Sequence, residues 1–141
     1  MSMRMAQHRL EVLTSGQGLH EITAEVTGWA ARQEFRQGML MLFLRHTSAS
    51  LLIQENAARD VREDLQDFFR GLVPEDMRRY RHRDEGPDDM PAHIRSALLP
   101  TQLSIPLTEG RLALGTWQGI YLFEHRRVGH RRELVLHLLG E

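Results

Sequence analysis

Two segments of this chain are apolar on both faces of an extended strand, and they constrain the fold more than any other feature. Met39 to Leu44 reads Met-Leu-Met-Leu-Phe-Leu, and Glu133 to Leu139 sets Leu134, Leu136 and Leu138 on one face with Val135 and Leu139 on the other. A strand that alternates needs cover on one side only. One that does not alternate needs cover on both, from a second layer or from another subunit. Neither run approaches the roughly 20 apolar residues of a membrane-spanning helix, and the start of the chain (Met-Ser-Met-Arg-Met-Ala-Gln-His) carries no apolar leader. We therefore expect a soluble, cytoplasmic protein.

The rest of the pattern is mixed. Arg9 to Thr14 alternates as a strand, Gly16-Gln17-Gly18 turns, and Ile22, Val26, Trp29 and Ala30 recur at helical spacing within Glu21 to Gln33. Thr47 to Gln54 continues extended. Asn56 is placed to cap a helix running to Gly71 through Val61, Leu65, Phe68, Phe69 and Leu72. Pro74 to Pro91 is crowded with charge and reads as a long loop, followed by a short helix over Ala92 to Leu99 that Pro100 ends. Gln102 to Pro106, Arg111 to Leu114 and Ile120 to Glu124 read as further strands, with Gly115 to Gly119 as a hairpin tip. About six or seven strands and three helices predict one α+β domain over residues 1–141. Its core is an antiparallel sandwich or barrel with the helices packed on one side.

Composition removes several chemistries. There is no cysteine, so disulfides, thiolate metal sites and thiol nucleophiles are excluded. With 18 basic against 19 acidic residues the net charge is -1, which gives no general field for nucleic acid or an anionic membrane. No phosphate-binding glycine loop or nucleophile elbow is present.

Eight histidines are many for 141 residues. His8, His20 and His137 lack acidic neighbours at motif spacing. His125 and His130 flank a basic turn, Arg126-Arg127 and Arg131-Arg132, which reads as solvated or anion-contacting. His46 ends an apolar strand and opens into Thr47, Ser48 and Ser50, a normal place to hold a ligand. His82 and His93 bracket Asp84, Glu85, Asp88 and Asp89, and imidazole with carboxylate suits zinc or another first-row ion, whereas carboxylates alone would suit magnesium. The spacing matches no compact zinc motif. Asp60, Glu63 and Asp64 lie along one helix side beside Arg59 and Arg62, which reads as a salt-bridged exposed face. Trp117 and Gln118 stand at a hairpin tip, where an exposed indole has something to cover.

Taken together, several strings resemble the YjbQ-type family, whose members are labelled secondary thiamine-phosphate synthase enzymes. They are His46-Thr-Ser-Ala-Ser50-Leu, Glu55-Asn56, Tyr80-x-His82-x-x-Glu85-Gly86-x-Asp88-Asp89-Met90-Pro91-x-His93-Ile94, Ser104-x-Pro106, Gly110-Arg111, Gly115-Thr-Trp117-Gln118-Gly119-Ile120, Glu124-His125-Arg126 and Gly140-Glu141. The resemblance implies a homotrimer with a metal site near the subunit boundary. It implies His46, His82 and His93 as ligands of a divalent ion, zinc or magnesium. Asp64, Glu85, Asp89 and Glu124 are then catalytic candidates, and Ser48, Trp117, Gln118, Arg131 and Arg132 candidates for substrate. The implied reaction joins a pyrimidine methyl pyrophosphate to a thiazole phosphate and releases pyrophosphate. A metal-dependent hydrolase of a small phosphorylated metabolite and a non-catalytic metal- or ligand-binding module are the alternatives. The chain departs from the family's Glu-Asn-x-Asp-Pro, holding Ala58-Arg59 at the last two positions, and has Pro100 where members tend to have glycine.

Overall fold

A computed structural model describes residues 2–141. Along the chain run β1 (Arg4–Leu13), β2 (Gly18–Glu21), α1 (Thr23–Arg32), β3 (Gly38–Leu44), β4 (Ala49–Glu55), α2 (Arg59–Leu72), a 3-10 turn (Met77–Arg79) and α3 (Asp89–Leu98). Then follow β5 (Gln102–Thr108), β6 (Arg111–Leu112), β7 (Gln118–Glu124) and β8 (Arg131–Gly140). The strands form a five-stranded sheet, β1-β8-β3-β5-β6, and a three-stranded sheet, β2-β7-β4, with every pairing antiparallel. The fold is α+β, as its pattern predicts. Among the described residues no helix is long and apolar enough to cross a membrane.

The two unalternating strands are neighbours at the centre of the large sheet. Leu40, Leu42 and Leu44 of β3 and Leu134, Leu136 and Leu138 of β8 are each no more than 1% exposed. They pack with Leu51 of β4, Ile120 and Leu122 of β7 and the Val26-Trp29-Ala30 face of α1. Each such side chain contributes roughly 1.5–3 kcal/mol by leaving water. Their other face is not covered within this chain: Met39, Met41, Phe43 and Leu139 are 43–49% exposed. The register sets Met5, Leu139, Met39 and Pro106 in one row across four strands. At the end of that ladder Gly38 meets Gly140, and a Cβ on Gly38 would stand 2.2 Å from the Leu139 carbonyl oxygen, so the close approach of these backbones requires glycine.

The small sheet is covered on both sides. Ile120 and Leu122 face the large sheet, while Tyr121 and Phe123 point the other way, where Phe69 of α2 meets Phe123 edge-on at 5.9 Å. The Ser96 hydroxyl of α3 donates to the Ala49 carbonyl of β4 at 2.9 Å. Helices α2 and α3 therefore lie over the outer face of this sheet. Helix α1 closes the sandwich instead, packed against β6 and β7.

Three local expectations are corrected. Gly18 to Glu21 is a strand rather than turn and helix. Asn56 does not cap α2: its side chain donates to Glu21 Oε2 at 3.3 Å, and the cap position falls on Ala58, which has no side chain to offer. The family's Asp-Pro would therefore occupy the N-cap and first helical positions, where aspartate caps and proline gives up no needed N–H. Ala58→Asp is expected to raise stability by about 0.5–2 kcal/mol, read as an upward shift of the urea midpoint. Helix α3 begins at Asp89 rather than Ala92, because Pro91 lies in the first turn, where its missing N–H costs nothing.

Candidate metal centre

That early start of α3 builds the site. Asp89 and His93 are one helical turn apart and share a face, and the loop before them folds back through Gly86 at φ +98° to bring in Glu85 and His82. One ligand atom from each of His82, Glu85, Asp89 and His93 lies within 4.8 Å of the other three. Both imidazoles converge on one oxygen: Asp89 Oδ2 is 2.8 Å from His82 Nε2 and 3.2 Å from His93 Nε2. Glu85 Oε2 is 3.7 Å from His82 Nε2. The Asp89 side chain is 3% exposed, His93 is 33%, His82 47% and Glu85 63%, so the group has a buried floor and an open mouth.

Behind the floor stands Arg126. Its Nη1 donates to Asp89 Oδ1 at 2.9 Å, its Nε to Asp88 Oδ2 at 2.9 Å and its Nη2 to the Glu85 carbonyl at 3.0 Å. Burial alone would raise the Asp89 pKa. The hydrogen bond from the His82 ring and the positive charge of Arg126 outweigh it and hold the carboxyl below its usual range. Asp88 is held down likewise: burial works against it, but Arg126 and the Arg127 N–H prevail. A fixed, ionised Asp89 flanked by two imidazoles and a second carboxylate is a donor set for a divalent cation. Two nitrogen donors suit a zinc-class ion better than magnesium.

The other candidates lie elsewhere. His46 is outside the group: its Nε2 accepts the Glu133 N–H at 2.8 Å, and burial, then the Arg132 charge, lower its pKa. Of the expected triad, the chain brings together His82 and His93 only. Glu124 is fully buried, accepting from Thr14 Oγ1 at 2.6 Å, Arg132 Nε at 2.8 Å and the Arg126 N–H at 3.2 Å. Arg132 Nη2 is bound to Glu124 Oε2 as well, and to Ser48 Oγ at 3.0 Å. These three residues lock β7, β8 and the β3–β4 connection together, and both oxygens of Glu124 are taken up by these bonds. Arg131 pairs with Glu11 at 3.0 Å on the surface. Asp64 is exposed on α2 and outside the group. The expected hairpin at Gly115 to Gly119 is instead a turn between the two sheets, because β6 pairs with β5 and β7 with β2 and β4. Gln118 accepts the Gly115 N–H at 2.7 Å and so closes that turn, while Trp117 is 63% exposed. His125, read as a solvated turn residue, is 1% exposed. Its Nε2 is 2.9 Å from Ser50 Oγ, and burial lowers its pKa to about 3, keeping the ring neutral.

Arg126 is the residue that sequence reasoning missed as part of the site, and Asp88, grouped there with the carboxylates, holds Arg126 rather than joining the ligand group. The signal was present in the Glu-His-Arg and Asp-Asp strings, but which arginine of a basic turn reaches which acid depends on how β7 packs against α3.

The comparisons with known proteins agree with this architecture. Residues 8–141 match the family model described as UPF0047 protein YjbQ-like. The UPF0047 protein sll1880 of Synechocystis is 51% identical over 140 residues, covering 99% of this chain and 95% of the relative. The UPF0047 protein YjbQ of Escherichia coli O157:H7 is 43% identical over 136 residues, covering 96% and 98%. The crystal structure of a YbjQ-like protein of Sulfolobus solfataricus P2 superposes with a TM-score of 0.90 at 25% identity, covering 99% of this chain and all of that one. A protein of Aeropyrum pernix K1 gives 0.86 at 27%, covering 96% and 99%. The chain belongs to the YjbQ/UPF0047 family.

Proposed function

We propose that this protein is a divalent-metal-dependent cytoplasmic enzyme acting on a small phosphorylated metabolite. Its reaction is of the thiamine-phosphate synthase type: a pyrimidine methyl pyrophosphate is joined to a thiazole phosphate and pyrophosphate leaves. The observation that carries the proposal is the convergence of His82, Glu85, Asp89 and His93 within 4.8 Å around an open mouth. The bound ion would supply positive charge where the departing pyrophosphate gains negative charge. The chain's residues do the rest. Arg126 fixes Asp89 in its ionised form, Asp88 fixes Arg126, and the exposed Glu85 carboxylate is left free to take up or release a proton beside the substrate.

Thiamine phosphate formed from the two precursors by metal-loaded protein, and lost in a folded His82→Ala variant, is the expected result. No product under metal loading sinks the synthase reading. The hydrolase reading uses the same group, with Glu85 orienting water instead, and phosphate or pyrophosphate released from a single substrate identifies it.

We also infer that the uncovered face of β3 and β8 is where identical chains meet in a homotrimer. Its support is the row of half-exposed Met39, Met41, Phe43 and Leu139 beside a full core on the other face. Met41→Glu with Phe43→Glu is expected to reduce the particle to a monomer in size-exclusion chromatography with light scattering. An unchanged mass would place the contact elsewhere.

A further inference from the structure

The core and the loops around it contain two buried arginines, Arg95 and Arg132, each 3% exposed. Arg132 has its carboxylate in Glu124. Arg95 has none within 4.0 Å among the described residues. Its Nε donates to the Phe69 carbonyl at 3.3 Å and its Nη2 to the Val73 carbonyl at 2.8 Å, while Nη1 has no acceptor among the described residues. A buried cation held only by carbonyls has taken on the cost of leaving water without the partner that usually offsets it. Burial accordingly lowers the Arg95 pKa, with Glu75 opposing.

The guanidinium lines an opening of about 520 Å³ that it shares with Gln17, Arg70, Pro74, Glu75 and Arg127. Arg127 is paired with Glu75, and Arg70 makes only a 3.4 Å exposed contact with Asp67. Three arginines against one glutamate leave two positive charges around this opening. It adjoins the metal centre through the backbone: Asp88 Oδ2, which holds Arg126 Nε, also accepts the Arg127 N–H at 2.9 Å.

We propose that Arg95, Arg70 and Arg127 form an anion site for the phosphate or pyrophosphate group of the substrate, next to the divalent ion. The assignment of this anion to a substrate rests on the enzymatic reading above, whereas its binding does not. The free Nη1 of Arg95 is a charged donor suited to a phosphate oxygen, and the anion would give Arg95 the counter-charge that the protein does not.

The test is calorimetric titration of chelator-treated protein with inorganic phosphate and with pyrophosphate at low salt. Pyrophosphate is expected to bind, about tenfold or more weaker in Arg127→Ala and in Arg95→Gln. It should be unchanged in Arg36→Ala, which removes an exposed arginine elsewhere. Should Arg95→Gln fail to fold, Arg70→Ala with Arg127→Ala carries the test on exposed positions. Absence of binding to the wild type, or equal weakening by Arg36→Ala, overturns the proposal. Pyrophosphate binding that needs these arginines, in a protein with no turnover on any substrate, leaves the anion site standing and removes the enzymatic reading. Turnover without pyrophosphate binding to the metal-free protein does the reverse.

Discussion

Asp89→Asn is expected to lower affinity for a zinc-class ion by about 100-fold or more, while the protein still folds. The carboxylate is where the site converges: both imidazoles meet at its Oδ2 and Arg126 binds its Oδ1. Asparagine keeps the shape but removes the negative charge, and its single oxygen cannot serve both Arg126 and the ion. Folding should survive because Asp88 continues to hold Arg126 at 2.9 Å. The loss of a charged hydrogen bond costs about 1–3 kcal/mol. Competition with a chromophoric chelator measures the first effect and a thermal melt the second. Wild-type affinity in this variant would mean that the ion, if bound, is held by other residues.

The largest effect on stability is expected at the opposite kind of carboxylate. Glu124 is 0% exposed, and Glu124→Ala would leave Arg132 buried without its partner, at a cost of about 3–5 kcal/mol. In a domain of this size that corresponds to a fall in Tm on the order of 10 °C or more. Glu124→Leu with Arg132→Met should recover most of the loss, because an apolar pair of similar volume carries no uncompensated charge. Equal destabilisation in the single and double variants would show that packing, not the lost counter-charge, sets the cost. The pH dependence has a definite sign. Burial raises the Glu124 pKa, but the bonds from Arg132 and Thr14 outweigh it and bring the folded value below the ordinary 4.5. The contribution is therefore complete above that value and is lost as the pH falls through the depressed one. The gap between wild type and Glu124→Ala should be constant near neutrality and narrow only in acid.

These two carboxylates also show what the sequence makes legible. Glu124 and Asp89 stand in equally distinctive strings, and both read as catalytic candidates, yet one is sealed between strands and the other forms the floor of an open site. Strings do not carry burial. The apolar strands were legible because an unalternating run admits few placements, and both lie at the centre of the large sheet with one face in the core. The short β2 was not, since four residues between a glycine turn and a helical pattern carry too little periodicity. The start of α3 was hidden by Pro91, which reads as a break until its place in the first turn is known. That single misplacement matters most, because the Asp89–His93 pairing across one turn becomes visible only once the helix begins at Asp89. Arg95 gave no local signal, and the distinctive string that holds Arg126 does not say which acid it reaches. Their roles come from contacts 22 to 41 residues away in sequence.

The most direct test of the metal centre is elemental analysis of purified protein beside a His82→Ala, His93→Ala variant shown to be folded. About one zinc-class ion per chain in the wild type, and none in the variant, is the predicted result. Wild-type protein that holds no divalent ion and takes up none on addition would contradict it.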